Sequence, residues 1–260
     1  VKMICCQNWD TNNDGELSYA EAAAVTDIGS VFSQNDKIIA FSEFKYFEGV
    51  TSLSNQAFYN CANLWKIDLP PYITQFEEGT VSGGSFNGSR GYGSFLGTSI
   101  ANIVLPNALK SIGNGAFAYC GELKSVTIPN GVTSIGSYAF HHCNSLTGMT
   151  IPESVTSIGK SAFTGSGNGA ELIINCNIPD YLNYYDSGFW GADFAKITIG
   201  DSVTSIGNYA FYSCDSLTDV IIGKSVTSIK QNAFGECTWL INIYCKPTTP
   251  PAIYYHNEYD

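Results

Sequence analysis

The sequence predicts a repeat solenoid: a right-handed coil of about eight 23-residue turns built on a parallel β-sheet, with a small α-helical module in front. Three observations predict it. The tetrapeptide VTSI at 132–135 returns at 155, 203 and 226, and LKSI at 109, VTSL at 50 and ITQF at 73 are variants of it; most intervals are 23 residues, and the 48 residues from 155 to 203 hold two turns. An aromatic place follows, with Phe58, Phe117, Phe140, Phe163, Phe211 and Phe234; Cys61, Cys120, Cys143, Cys214 and Cys237 stand three residues after their phenylalanines, and a leucine three residues after each cysteine. Each turn then closes on apolar residues of period two, such as Val126 with Ile128 and Val220 with Ile222, which is the periodicity of a strand. A 23-residue coil cannot bury its own Leu, Ile and Phe side chains, so neighbouring turns must stack into one core.

The first element is the front module, residues 1–49. Residues 10–21 read DTNNDGELSYAE, which fits the template D-x-[DN]-x-[DN]-G-x5-E of an EF-hand calcium loop. Calcium takes six to eight hard oxygens, and this spacing offers Asp10, Asn12, Asp14, the backbone carbonyl of Glu16, Ser18 and the carboxylate of Glu21. Gly15 permits the sharp turn, Leu17 pins the loop to the protein, and Ser18 caps a helix that leaves the loop. An Asn-Asp-Gly turn capped by Ser18 and holding no metal is the other reading of these residues. The later segment NDKIIAFSEF repeats the Leu17–Glu21 spacing with Ile39 and Glu43, but Phe32 falls where a first ligand belongs, so it reads as a metal-free partner. The module is expected to cover the first open turn of the stack, because an exposed repeat edge invites aggregation.

Residues 50–260 form the solenoid and its tail. One cysteine per turn at a fixed place predicts a column of small buried thiols rather than a disulfide framework, and an odd count of nine in a chain with an ample core agrees. Cys5 and Cys6 lie outside that column. Two turns break the period. EEGTVSGGSFNGSRGYGS, between Ile73 and Leu109, reads as a Gly- and Ser-rich protruding loop, and YLNYYDSGFW crowds aromatic residues into one irregular turn.

The repeat resembles the leucine-rich repeat, and more closely its BspA-like variety, known from surface proteins of Bacteroides and other host-associated microbes; the resemblance covers about 200 of the 260 residues. It implies a leucine-rich-repeat solenoid, a front module with a loop of the DGELS type, and a cell-surface or secreted location. It also implies a non-enzymatic recognition or adhesion role toward a host or extracellular protein, or a glycan. A carbohydrate-binding module of a glycan-utilisation system is the alternative.

Composition narrows the partners. With 23 acidic and 12 basic residues the net charge is -11, which repels phosphate backbones, so nucleic acid is not expected. No apolar run reaches the length of a membrane span, and no signal segment opens the chain, which reads as a mature form; that says nothing about export. G-x-S-x-G, H-E-x-x-H, P-loop and dinucleotide motifs are absent from the sequence, and His141, His142 and His256 lack partners at ligand spacing and read as surface residues.

Outward strand positions can be read as two columns, one running Lys66, Asn102, Ser125, Gly148, Glu171, Lys196, Asp219, Asn242, the other Asp68, Val104, Thr127, Thr150, Ile173, Thr198, Ile221, Tyr244. Neither concentrates charge or rings. Binding energy gathers on aromatic and arginine anchors, so the candidate ligand residues are Tyr181, Tyr184, Tyr185 and Trp190 of the irregular turn, with Arg90 and Tyr92 of the Gly-Ser loop as a second patch. Phe189 and Trp190 have a core reading as well, filling a turn that lacks the usual Ala-Phe pair.

Overall fold

The computed structural model describes residues 1–79 and 93–253 as a parallel-strand solenoid with little helix. One column of strands comes from the Leu-x-x-Val-x-Ile runs and has nine members, from Ala40–Phe41 through Ser125–Thr127 and Glu171–Ile174 to Asn242–Cys245. The register matches the sequence columns: Gly148, Glu171, Lys196, Asp219 and Asn242 lie side by side, as do Thr150, Ile173 and Thr198. A second column of short strands comes from the Ser-Ile pairs of VTSI, with Ser134–Ile135 beside Ser157–Ile158.

A third ladder runs along the corner between the short strand and the phenylalanine. Phe117 N–H donates to Ala139 O at 2.7 Å and Tyr119 N–H to His141 O at 2.7 Å, and the next turn repeats this with Phe140 to Ala162 and His142 to Thr164 at 2.8 Å. To present these groups the corner twice enters left-handed backbone, at Tyr138 and His142 with φ of 58° and 56°, and again at Tyr209 and Ser213 with 55° and 56°. Such conformations cost a non-glycine residue on the order of 1–2 kcal/mol each, so the ladder is what holds them.

The phenylalanines form one continuous stack. Phe32, Phe58, Phe95, Phe117, Phe140, Phe163 and Phe189 follow one another at centroid separations of 5.1–5.5 Å with near-parallel planes, and Phe211 and Phe234 continue the column. Beside them stands the cysteine column. Each thiol donates to the phenylalanine carbonyl of the preceding turn, Cys61 to Phe32 at 2.9 Å, Cys120 to Phe95 and Cys143 to Phe117 at 3.1 Å, Cys214 to Phe189 at 3.2 Å, Cys237 to Phe211 at 3.0 Å. These five are free thiols, as the column predicts, and only Cys237 among them is not fully buried; Cys5, Cys6, Cys176 and Cys245 are free as well. Burial pushes the Cys120 thiol up to about 11.

Glycine closes VTSIG for a steric reason. A Cβ on Gly136 would stand 2.6 Å from the backbone nitrogen of Asn114, and one on Gly159 would meet that of Ser137, so only glycine lets the turns approach this closely.

The stack contains one turn more than the eight read from the sequence. Its first strand, Ala40–Phe41, pairs in parallel with Lys66–Ile67, so hydrogen-bonded stacking begins inside the 1–49 segment. NDKIIAFSEF accordingly supplies a strand and a 3-10 turn, Ser42–Tyr46, to the solenoid, with Phe41 and Phe44 in its core. Ahead of it lie two short helices, α1 (Lys2–Trp9) and α2 (Tyr19–Ala24). Trp9 packs on Phe32 and Phe47 at 6.0 and 5.5 Å, which seats α1 on the first turn.

Candidate recognition surfaces

Three surfaces carry groups able to hold a ligand: the front loop, the long-strand face and the corner. In the front loop the Asp and Asn side chains fold the backbone round themselves. Asp10 accepts from the N–H groups of Asn13 (2.7 Å) and Gly15 (2.9 Å), Asn12 from Asp14 (3.0 Å), and Asp14 from Glu16 (2.9 Å). Gly15 turns with φ of 85°, and Leu17 packs against the core as the template requires. Glu21 closes the ring from the other end. One carboxylate oxygen accepts from Thr11 N–H and Oγ1 at 2.8 Å, the other from Ser18 N–H at 3.0 Å and Oγ at 2.8 Å, while Ser18 caps α2. These bonds, that from Ser18 N–H foremost, pull Glu21 down to about 2. Lys2 and Cys6 of α1 reach the same loop, at Glu16 Oε1 (2.9 Å) and Gly15 O (3.4 Å). The donor types, their order and the loop backbone fit a hard divalent cation. The carboxylates are engaged with the loop's own N–H and hydroxyl groups, and among the described residues no three His, Cys, Asp or Glu side chains are gathered as a metal-binding cluster.

The long-strand face is an open trough of about 1330 Å³, centred where Gly148 removes a side chain and flanked by Ser125, Thr127, Thr150 and Ile173. A second hollow of about 930 Å³ continues it toward the front, past Val104 and Trp65, which are 85% and 53% exposed. The charges at its centre are engaged within the face. Lys196 and the Thr198 hydroxyl both hold Glu171, at 3.1 and 2.7 Å, and Asp219 accepts from Asn242 at 2.9 Å.

The irregular turn shapes the corner. Ten residues lie between Ile178 and Phe189, against four between the equivalent Ile206 and Phe211, so about six extra residues must arch outward. They do so as a 3-10 turn, Tyr184–Asp186, capped by Asn183 and tied at both ends by ion pairs: Asp180 to Lys230 at 2.5 Å and Asp186 to Lys160 at 3.3 Å. The arch lays Tyr184 on Tyr212, 4.8 Å between centroids and nearly parallel, with Tyr185 at 4.0 Å from Tyr184 and Trp190 edge-on to Tyr185 at 5.6 Å. Tyr209 completes the group, 6.0 Å from Tyr212. Leu182 at the tip is 94% exposed.

The candidate ligand residues divide accordingly. Tyr184, Tyr185 and Trp190 come together at the surface. Tyr181 does not: it is buried, and its hydroxyl donates to Ile158 O at 3.4 Å, because the start of the insertion must anchor in the core before the rest can arch out. Phe189 takes the core reading, fully buried in the phenylalanine stack. Arg90 and Tyr92 lie outside the described residues, as does His256. His141 is no surface residue. It is buried beside Tyr138, and burial, with His142 next to it, draws its imidazole down to about 4. Sequence reading missed Tyr209 and Tyr212, since each sits at an ordinary corner place of a regular turn and gains meaning only from the arch above it.

A family description, the BspA type leucine rich repeat region, matches six copies over residues 24–87, 89–187 and 182–253. Among solved structures, the chain is similar to a leucine rich cell surface protein from Faecalibacterium prausnitzii (27% identity, TM-score 0.39, 77% of this chain and 59% of that one). It is also similar to a leucine-rich repeat protein from Eubacterium ventriosum (20%, TM-score 0.50, 79% and 61%) and to a leucine rich repeat protein of T. pallidum (21%, TM-score 0.44, 84% and 77%). The chain thus spans about three fifths of the length of the first two. No curated protein matches it. Among the described residues no helix is long and apolar enough to cross a membrane.

Proposed function

This chain belongs to the family of BspA type leucine-rich repeats, and from that premise we propose that it is a non-enzymatic recognition protein of the cell surface or secreted space, holding an extracellular protein or a glycan on its repeat surface. The observation that carries the reading is the ring platform of Tyr184, Tyr185, Trp190, Tyr209 and Tyr212, built by an insertion that the solenoid core does not need beyond Tyr181. Tyr185 is exposed and the other four rings are half-buried beside it, and pre-positioned Tyr and Trp rings of this kind are the anchors on which binding energy concentrates. The trough supplies a long surface whose central charges, Glu171, Lys196 and Asp219, are already engaged, so it shapes contact more than it anchors it. Purified chain should bind at least one member of an array of extracellular-matrix proteins and glycans, and Trp190→Ala with Tyr212→Ala should weaken that binding by about 1–3 kcal/mol at an unchanged melting temperature. Binding that survives both changes but falls with Thr150→Arg would move the site to the trough, and an array with no partner would end the proposal.

Calcium is the second part of the reading. Asp10, Asn12, Asp14, the Glu16 carbonyl, Ser18 and Glu21 would hold Ca2+, which would offset the crowding of carboxylates in one short loop. Closure of the loop by Glu21 supports it, because that brings both ends of the ligand set together before any ion arrives. Calcium at millimolar concentration should raise the melting temperature relative to chelator, and Asp10→Ala should abolish the difference. Identical melts in calcium and chelator would leave the metal-free turn as the correct reading.

A further inference from the structure

We propose that the ring platform is a saccharide site, and that its ligand is a neutral oligosaccharide; this rests on the recognition reading above and names the partner class for the same surface. The first argument is shape. Tyr185 and Trp190 pack edge-to-face at 70° and Tyr209 and Tyr212 at 65°, while Tyr184 lies at 29° on Tyr212, so the rings hold one another with their faces turned in several directions rather than in one plane. Such a cluster suits one bulky pyranose at a time, whose C–H face packs on an outward π-face, that of the half-exposed Tyr185 foremost, while its hydroxyls reach the phenol oxygens. A flat crystalline polymer would need a flat row of rings.

The second argument is polar chemistry. The phenols carry hydroxyls that both donate and accept, and Gln231 Nε2 already lies 3.2 Å from Tyr209 Oη, which puts an amide at the platform's edge. Every one of these phenols is a protonated donor at neutral pH, and burial, followed by the nearby Glu236, raises Tyr212 further above its ordinary value. The third is charge. The cations tied to the arch, Lys160 and Lys230, are both engaged by its own carboxylates, Asp186 and Asp180, so they are not available to a sulfate or uronate. A net charge of -11 repels such groups further. A neutral sugar loses nothing to this field.

Finally, the arch is held before any ligand arrives. Its two ion pairs and the Asn183 cap fix the position of Tyr184 and Tyr185, which lowers the ordering cost of binding.

The test uses the full chain with soluble cellohexaose, mannohexaose and laminarihexaose as neutral probes and a heparin hexasaccharide as the anionic one. Titration calorimetry measures affinity, and saturation-transfer NMR shows whether aromatic protons touch the sugar. At least one neutral probe should bind with transfer from the platform rings, and Tyr185→Ala and Trp190→Ala should each weaken it by about tenfold or more. Tyr185 is half-exposed, so its replacement leaves the fold intact and serves as control for any unfolding at Trp190. Binding of heparin alone, binding that ignores both changes, or no binding of any neutral probe at millimolar concentration overturns the saccharide proposal. A protein partner lost on Tyr185→Ala, with no sugar bound, would overturn it while leaving the recognition role standing.

Discussion

The cysteine column has a defined task at the scale of single residues. A thiol, unlike a methyl group, can give a hydrogen bond to a carbonyl turned into the core, and each column cysteine does so to the phenylalanine of the turn before. Ser166, standing where Cys143 stands one turn earlier, donates to Phe140 O in the same manner, and Thr98 occupies the place in its own turn. The place therefore favours a donor, of which sulfur is the commonest form, and the turn of Phe189 with Ala192 does without one. Cys143→Ser should stay within about 1 kcal/mol of the parent in urea unfolding, whereas Cys143→Ala should cost about 1–2 kcal/mol more through the lost bond and the small void. Equal stabilities for the two variants would show that the bond contributes nothing. The column was legible in the sequence as a 23-residue beat of cysteines. Its polar members were not, because a lone serine or threonine carries no such rhythm.

Among the elements, the front cap depends on one carboxylate that ties both ends of a loop. Glu21 has its folded value depressed from 4.5 to about 2 by the hydrogen bonds from Ser18 and Thr11, so the stabilisation it gives is complete above the unfolded value. It is lost as pH falls from about 4.5 toward 2. The protection factors of residues 10–24 against hydrogen exchange, corrected for the intrinsic pH dependence of exchange, should therefore fall across that window in the absence of calcium, and Glu21→Gln should remove the change; protection factors that stay flat with pH would detach Glu21 from the cap's order. The solenoid elements differed in legibility for a packing reason. Most turns carry a small residue, a phenylalanine and a donor three places on, and the sequence shows them wherever these are Ala, Phe and Cys. Phe95 follows Ser94 and precedes Thr98, Phe189 follows Gly188 and precedes Ala192, and Phe32 opens the stack with no cysteine at all, yet each fills the same buried slot. Shape selected these turns, and shape has more spellings than one motif. The arch of Tyr184–Asp186 was visible as excess aromatic residues, but its contact with Tyr209 and Tyr212 belongs to the next turn and has no signature in local sequence.

For the whole molecule the decisive fact is that the regular turns bond to their neighbours through equivalent groups: there the strand ladders, the corner ladder and the ring stack advance by one 23-residue step, as Ser134 beside Ser157 and Ile135 beside Ile158 illustrate. A solenoid of this kind is stabilised by its interfaces, and an interface is indifferent to which copies form it. Excision of residues 132–154, joining Gly131 to Val155, should thus give a folded protein shortened by about 4.8 Å, with reduced melting temperature and a diffraction or scattering profile of the same cross-section. A collapse of cooperative unfolding in that variant would mean that the turns are individually specialised. If the excision succeeds, the corner acquires a second meaning. The arch rides on the stack at a set number of steps from the cap, so gain or loss of a unit between them would slide the sugar-facing rings along the axis in increments of one strand, without altering a single contact inside either. Such a lineage could adjust how far its binding site stands from whatever holds the front end, by copying gene segments instead of editing residues.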